Sequence, residues 1–220
     1  NFIMDRKNKK YNAIEKCLEI IGIFSLENNN YSLKEINEIL GFNLSTTYRI
    51  LNTLINYGYI LRLKNKRYAI GTQALYLSAI YTRSNQLDQI RPIVDNIKDI
   101  VNETTAFFVE EHNKRICLYR ANSKNENLNK IEQGSRLSLN RGASGRIILA
   151  HGRRKNDKSG FYKEIRDKGY FQTVGENNSA MFAIAVPVIS SSSNFVGALV
   201  ISGPIKNFNA NKKNILIKIL

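Results

Sequence analysis

The sequence predicts an α+β protein in two parts joined by helices, and three observations carry that reading. Across residues 1–70, apolar residues recur at helical spacing between turn residues, and a basic hairpin closes the segment. A second helical stretch follows. From Thr104 onward, short apolar runs alternate with turn residues and glycines, the pattern of a mainly antiparallel sheet packed with helices. A chain of 220 residues is long enough for two modest domains, each with its own core. With 43% hydrophobic and 23% charged residues, it is neither a disordered tail nor a fibrous repeat.

The first helix carries Ile14, Cys17, Leu18 and Ile21 at i, i+3, i+4 and i+7, and Asn28-Asn29-Asn30 breaks it. Ser32 then offers an N-cap with Glu35 three residues on, the capping-box pattern, and Leu33, Ile36, Ile39 and Leu40 give the second helix its buried face. Gly41 stands where that helix ends. Ser45 or Thr46 caps a third helix, whose apolar face runs through Ile50, Leu51 and Leu54 toward Gly58. Tyr59 to Ile70 alternates, with Lys64-Asn65-Lys66-Arg67 as a polar turn between two short strands. Three helices followed by a basic hairpin make a winged helix-turn-helix over residues 1–71.

Residues 72–103 read as linker helices. One runs through Ala74, Leu75, Leu77 and Tyr81, and another through Ile93, Ile97, Ile100 and Val101 from a start near Pro92. Within residues 104–220, Ala106 to Val109 and Ile116 to Arg120 pair around His112-Asn113-Lys114. A strand at Leu137 to Leu139 leads into Gly142-Ala143-Ser144-Gly145 and a helix from Arg146 to Ala150. Phe182 to Ile189 and Phe195 to Ser202 are buried strands joined by a serine-rich turn, and a last helix starts after Asn209.

The formal net charge is +15, which favours polyanions, nucleic acid before an anionic membrane. The excess is spread along the chain: residues 1–70 carry 11 basic and 6 acidic side chains, and the rest carry 22 and 12. No apolar run is long enough to cross a bilayer, and no apolar segment follows the polar start as a secretory signal requires. Two cysteines far apart argue against a disulfide scaffold. These features point to a cytoplasmic protein with no membrane partner.

In a helix-turn-helix the third helix enters the major groove. Opposite its apolar face stand Ser45, Thr46, Tyr48, Arg49 and Asn52. Arg and Asn can grip guanine and adenine with two hydrogen bonds, while Ser, Thr and Tyr suit phosphates. Lys64, Lys66 and Arg67 on the wing suit phosphate or the minor groove. The expected partner is double-stranded operator DNA.

Leu33-Lys34-Glu35-Ile36, Gly41-Phe42, the run Ser45 to Leu54 and Gly58-Tyr59-Ile60 resemble the DNA-binding domain of the IclR family of bacterial transcription regulators. Tyr68-Ala69-Ile70-Gly71 resembles its closing strand, Arg141 to Ala150 its glycine loop and helix, and Ala185-Val186-Pro187-Val188 and Ile201-Ser202-Gly203-Pro204 its late strands. The resemblance spans nearly the whole chain. It implies a GAF-like C-terminal domain that binds a small effector, such as an organic acid, and assembly as a homodimer or tetramer. It also implies an effector pocket drawing on Ala143, Ser144, Thr173, Ala183, Val200 and Ser202. Helix N–H groups beside the small residues Gly142 to Gly145 suit an anion, and Ser144, Thr173 and Ser202 suit a carboxylate or hydroxyl. The chain departs from the family at Leu44, Arg146, Thr173 and Val200, which shifts the expected ligand toward a less polar one, or none. The stretch between Ala150 and Gly169 is also shorter than the family's, through a missing loop or a reduced lid.

No catalytic residue, metal site or cofactor is expected. His112 and His151 share no metal-ligand spacing with Cys17 or Cys117. Ser190 to Ser193 lacks a nucleophile elbow, Gly142 to Gly145 lacks the Lys of a P-loop, and Arg153-Arg154-Lys155 reads as a solvated loop. The function expected is a sequence-specific transcription regulator, a repressor under effector control. The alternatives are a non-specific basic nucleic-acid binder and an enzyme retaining a helix-turn-helix.

Overall fold

A computed structural model describes residues 12–84, 87–123, 131–152, 157, 160–176, 178–192 and 194–220. The chain divides into two compact units, Asn1–Ser84 and Asn85–Leu220. The first holds α1 (Ala13–Gly22), β1 (Asn30–Tyr31), α2 (Leu33–Leu40), α3 (Leu44–Asn56), β2 (Ile60–Arg62), β3 (Tyr68–Ile70) and α4 (Gln73–Ser84). Its three strands form an antiparallel sheet in the order β1-β3-β2. Ile20, Ile36, Leu40, Leu51, Leu54, Ile60 and Tyr68 close its core. Each such large apolar side chain contributes roughly 1.5–3 kcal/mol by leaving water.

Local chemistry sets the helix ends. The Ser32 hydroxyl accepts from the Glu35 N–H at 3.2 Å and the Glu35 carboxylate accepts from the Ser32 N–H at 2.6 Å, the reciprocal cap the spacing predicts. Gly41 ends α2 at φ +68°, a left-handed turn that glycine enters without steric cost. The third helix is capped earlier than expected: Asn43, rather than Ser45 or Thr46, accepts from the Ser45 N–H at 3.0 Å. Asn caps as well as Ser, so the earlier residue takes the role and Leu44 joins the helix. In α1 the predicted stripe is only partly buried. Ile20 is fully buried, Cys17 and Ile21 are half-buried, and Ile14 and Leu18 point outward. The helix packs on the side centred on Ile20, and Ile14 and Leu18, one turn apart, form a ridge away from it.

The second unit holds α5 (Leu87–Val101), β4 (Thr104–Glu111), β5 (Lys114–Ala121), β6 (Arg136–Ser138), α6 (Ala143–His151), α7 (Phe161–Lys168), β7 (Phe171–Val174), β8 (Met181–Ile189), β9 (Phe195–Pro204) and α8 (Ala210–Ile219). One six-stranded sheet runs in the order β6-β5-β4-β9-β8-β7, every pairing antiparallel. Alternation along the strands sorts two cores. Ala106, Phe108, Ala198 and Val200 face Ile147 and Ile148 of α6. Phe107, Leu199 and Ile201 pack instead with Val94 and Ile97 of α5 and Leu216 of α8. The sheet is thus the middle of three layers.

Two helices of this unit begin elsewhere than the sequence predicts. Pro92 lies inside α5 rather than in its first turn. Proline forfeits one backbone hydrogen bond, and the buried row Leu87, Val94, Ile97 and Val101 carries the helix through it. The helix expected from Arg146 begins at Ala143, because Gly142 at φ +77° turns the chain sharply and the small residues form the first turn. Gly145 has to lack a side chain: a Cβ there would sit 2.3 Å from the Leu139 carbonyl oxygen. The β4–β5 turn is formed by His112 and Asn113, both at positive φ, the two-residue hairpin geometry that Asn tolerates. β1, α7 and β7 have no counterpart in the sequence reading.

Candidate functional site

The third helix presents the expected polar face. Leu51, Leu54 and Thr47 are buried against the unit's core, which turns Ser45, Tyr48 and Arg49 outward and leaves Thr46 and Asn52 half-buried beside them. Thr47 settles its hydroxyl on the Asn43 carbonyl at 3.2 Å, so it holds the helix rather than facing outward. On the wing, Lys64 and Lys66 are exposed, with Lys66 at φ +64° in the turn. Arg67 has a different position. Its guanidinium ion-pairs with Glu35 at 2.8 Å and donates to the side chain and carbonyl of Asn30. It therefore ties the wing to β1 and the α2 cap. The Glu35 carboxyl is held below its ordinary range, first by the hydrogen bonds from Ser32 and then by Arg67.

In the second unit a cavity of about 280 Å³ opens between the sheet and the N-terminus of α6. All six positions expected for an effector, Ala143, Ser144, Thr173, Ala183, Val200 and Ser202, line it. Strand register explains the grouping: Ala183 is paired with both Thr173 and Ser202, and Val200 lies two residues before Ser202 on β9. Ala143 and Ser144, at the start of α6, supply the opposite wall, where the first N–H groups of a helix have no partner within it.

The sequence reading missed Arg115. It is buried in β5 and lines the same cavity. Its Nε donates to the Ser138 carbonyl at 3.0 Å, and its Nη1 donates to the Ser144 hydroxyl. Burial pushes its pKa down to about 10, against the opposing pull of Glu176, so it is still a cation at neutral pH. Glu176 also lines the cavity and lies 3.7 Å from Arg146. The one sequence signal for Arg115 is a charged residue beside the apolar Ile116-Cys117-Leu118, a weak cue next to a hairpin turn.

The residues set aside for chemistry are placed apart. His112 sits in the exposed β4–β5 turn. His151 closes α6, stacked on Phe195 with ring centroids 5.7 Å apart. Cys17 and Cys117 are both free thiols, and burial pushes Cys117 up to about 12, far from a reactive thiolate. Among the described residues, no group of three or more His, Cys, Asp or Glu side chains is placed to hold a metal. No helix among them is long and apolar enough to cross a membrane. Arg153, Arg154, Lys155 and Ser193 lie outside the described residues.

Residues 13–63 match the model of the IclR helix-turn-helix domain. The first unit thus carries a helix-turn-helix of the IclR type. The chain shares 25% identity with an uncharacterized HTH-type transcriptional regulator of Haemophilus influenzae, over 90% of this chain and 84% of that protein. The IclR fold extends through both units. An IclR transcriptional regulator from Alicyclobacillus acidocaldarius superimposes with a TM-score of 0.82 at 18% identity, covering 96% of this chain and 95% of its own. The Thermotoga maritima IclR gives 0.73 at 21% identity, covering 95% and 94%. An IclR homologue from Microbacterium hydrocarbonoxydans, solved with 4-hydroxybenzoate, gives 0.78 at 20% identity, covering 94% and 95%. The chain is accordingly a DNA-binding transcription regulator with an α+β C-terminal domain.

Proposed function

We propose that this regulator reads one operator sequence through α3, acts as a repressor, and changes its DNA affinity when a small effector enters the C-terminal cavity. The observation that carries the proposal is one chain with both parts. One unit has a helix-turn-helix with Arg49 exposed on its third helix, and the other has a cavity lined by all six expected pocket positions. Ser45, Thr46, Tyr48, Arg49 and Asn52 contact DNA from α3. Lys64 and Lys66 reach phosphates from the wing, and Arg67 supports the wing and borders the backbone. Residues 1–71 serve as the winged helix-turn-helix, 72–103 as the linker and 104–220 as the effector-binding domain, of GAF type.

The effector is a small molecule bound by Ala143, Ser144, Thr173, Ala183, Val200 and Ser202. The 4-hydroxybenzoate bound by the Microbacterium homologue supports an organic acid as its class. The protein works in the cytoplasm as a homodimer or a dimer of dimers, without enzymatic turnover. A two-fold assembly sets two recognition helices on two half-sites. Selection of bound duplexes from a random-sequence pool tests the reading. The expected outcome is one enriched motif of two related half-sites. A bound pool with no enriched motif would mean that the net charge of +15 alone drives binding.

A further inference from the structure

Arg115 is 5% exposed, and a buried guanidinium is costly to desolvate unless an opposite charge meets it. Here both of its hydrogen-bond partners are neutral, the Ser138 carbonyl and the Ser144 hydroxyl. Its plane lies over the Phe108 ring, with Cζ 5.4 Å from the centroid. Among the described residues no carboxylate is within ion-pair distance of it. Glu176 acts on it from farther off and is itself paired with Arg146. The cavity wall therefore holds a fixed, almost uncompensated positive charge whose Nη2 makes no hydrogen bond among the described residues.

The surroundings narrow what would neutralise it. Ser144 accepts from Arg115, which leaves the serine's own hydroxyl proton free to donate into the cavity. Ala143 and Ser144 begin α6, where backbone N–H groups and the helix dipole favour negative charge. Away from this corner Phe108, Leu137, Met181 and Val200 give the wall an apolar stretch, while Arg120, Glu176 and Asn178 add polar groups. Arg115 and Arg120 against Glu176 leave the lining one positive charge in excess, which with the helix end suits a single negative charge, and the apolar stretch suits a hydrocarbon body. At about 280 Å³ the cavity is larger than the roughly 150 Å³ that holds a benzene molecule, so a ring or short chain fits with its acid group.

We propose that the ligand of this cavity is a small monocarboxylate with an apolar body, and that Arg115 is the residue that recognises its carboxylate, helped by Ser144 and the N-terminus of α6. The assignment rests on the cavity being the effector pocket. It differs from the six expected positions in making β5, and a charge, the specificity determinant.

Calorimetric titration of the full chain with matched pairs, benzoate against benzamide and hexanoate against hexanamide, tests it. In the wild type each acid is expected to bind about tenfold or more tightly than its amide. Arg115→Met should erase that preference, and Arg115→Lys should restore part of it. The melting temperature of unliganded Arg115→Met should equal or exceed that of the wild type, because an uncompensated buried charge is gone. A side chain kept only for structure would lower it. Amides that bind the wild type as tightly as acids would overturn the anion assignment and leave the pocket standing. Acid affinity unchanged in both variants would overturn the role of Arg115. Binding of none of the four probes would overturn both the assignment and the pocket.

Discussion

His151 sits at the end of α6 with its ring on Phe195 and its Nε2 buried, with no hydrogen-bond partner among the described residues. Burial lowers its pKa, and the nearby Arg166 charge lowers it further. The unfolded chain, with an ordinary histidine near 6.5, therefore takes up the proton first as pH falls. Stability contributed by the neutral ring is full at about pH 7 and above, and is lost as pH falls through about 6.5 toward the folded pKa. Urea midpoints at two pH values on either side of that window are expected to fall further in the wild type than in His151→Gln. Equal falls would contradict it. Residue types were legible where a local rule governs them: Ser32 and Glu35 announce their cap, and Gly41 its left-handed turn. They were not legible where a distant partner decides the role. Arg67 reads as a wing cation yet is held by Glu35, 32 positions away in the chain, and Asn30. Arg115 reads as a hairpin residue and becomes a pocket wall only when β5 and α6 meet.

At the scale of elements, α4 stands out because Leu75, Tyr76 and Leu77 leave much of their apolar surface exposed. Leu75 is 74% exposed, Tyr76 63% and Leu77 44%, on a helix just after the helix-turn-helix. Exposed apolar surface of this density marks an interaction site, and the assembly proposed above is its natural user. Leu75→Asp should weaken self-association by about tenfold or more, since burying one leucine is worth roughly 1.5–3 kcal/mol, and sedimentation velocity would register it as a shift toward monomer. An unchanged sedimentation profile would place the interface elsewhere. Strong periodicity made α1, α2, α3 and the β8–β9 pair readable in advance. α7 was hidden because its sequence, Phe161 to Lys168, is mostly charged and buries only Ile165. β1 and β7 are short, and pairing with β3 and β8 rather than propensity makes them strands. Pro92 misled because tertiary burial of the α5 row outweighs the proline's local cost.

Over the whole molecule, the fold follows from a sequence whose local signals agree with one another, the six cavity-lining positions were implied by the family resemblance rather than by local signals, and the charge of +15 is shared by both units and identifies neither. Either α3 reads sequence or the basic chain merely adheres to DNA. Fluorescence anisotropy on the duplex enriched by selection and on its scrambled counterpart, for the wild type and Arg49→Ala across a salt series, separates the two. The wild type should prefer the enriched duplex about a hundredfold, some 2.7 kcal/mol. Arg49→Ala should lose about tenfold or more of that preference while its binding to the scrambled duplex changes little. A wild type that binds both duplexes equally, with one shared salt slope, would contradict the account, and so would an Arg49→Ala variant that keeps the full preference.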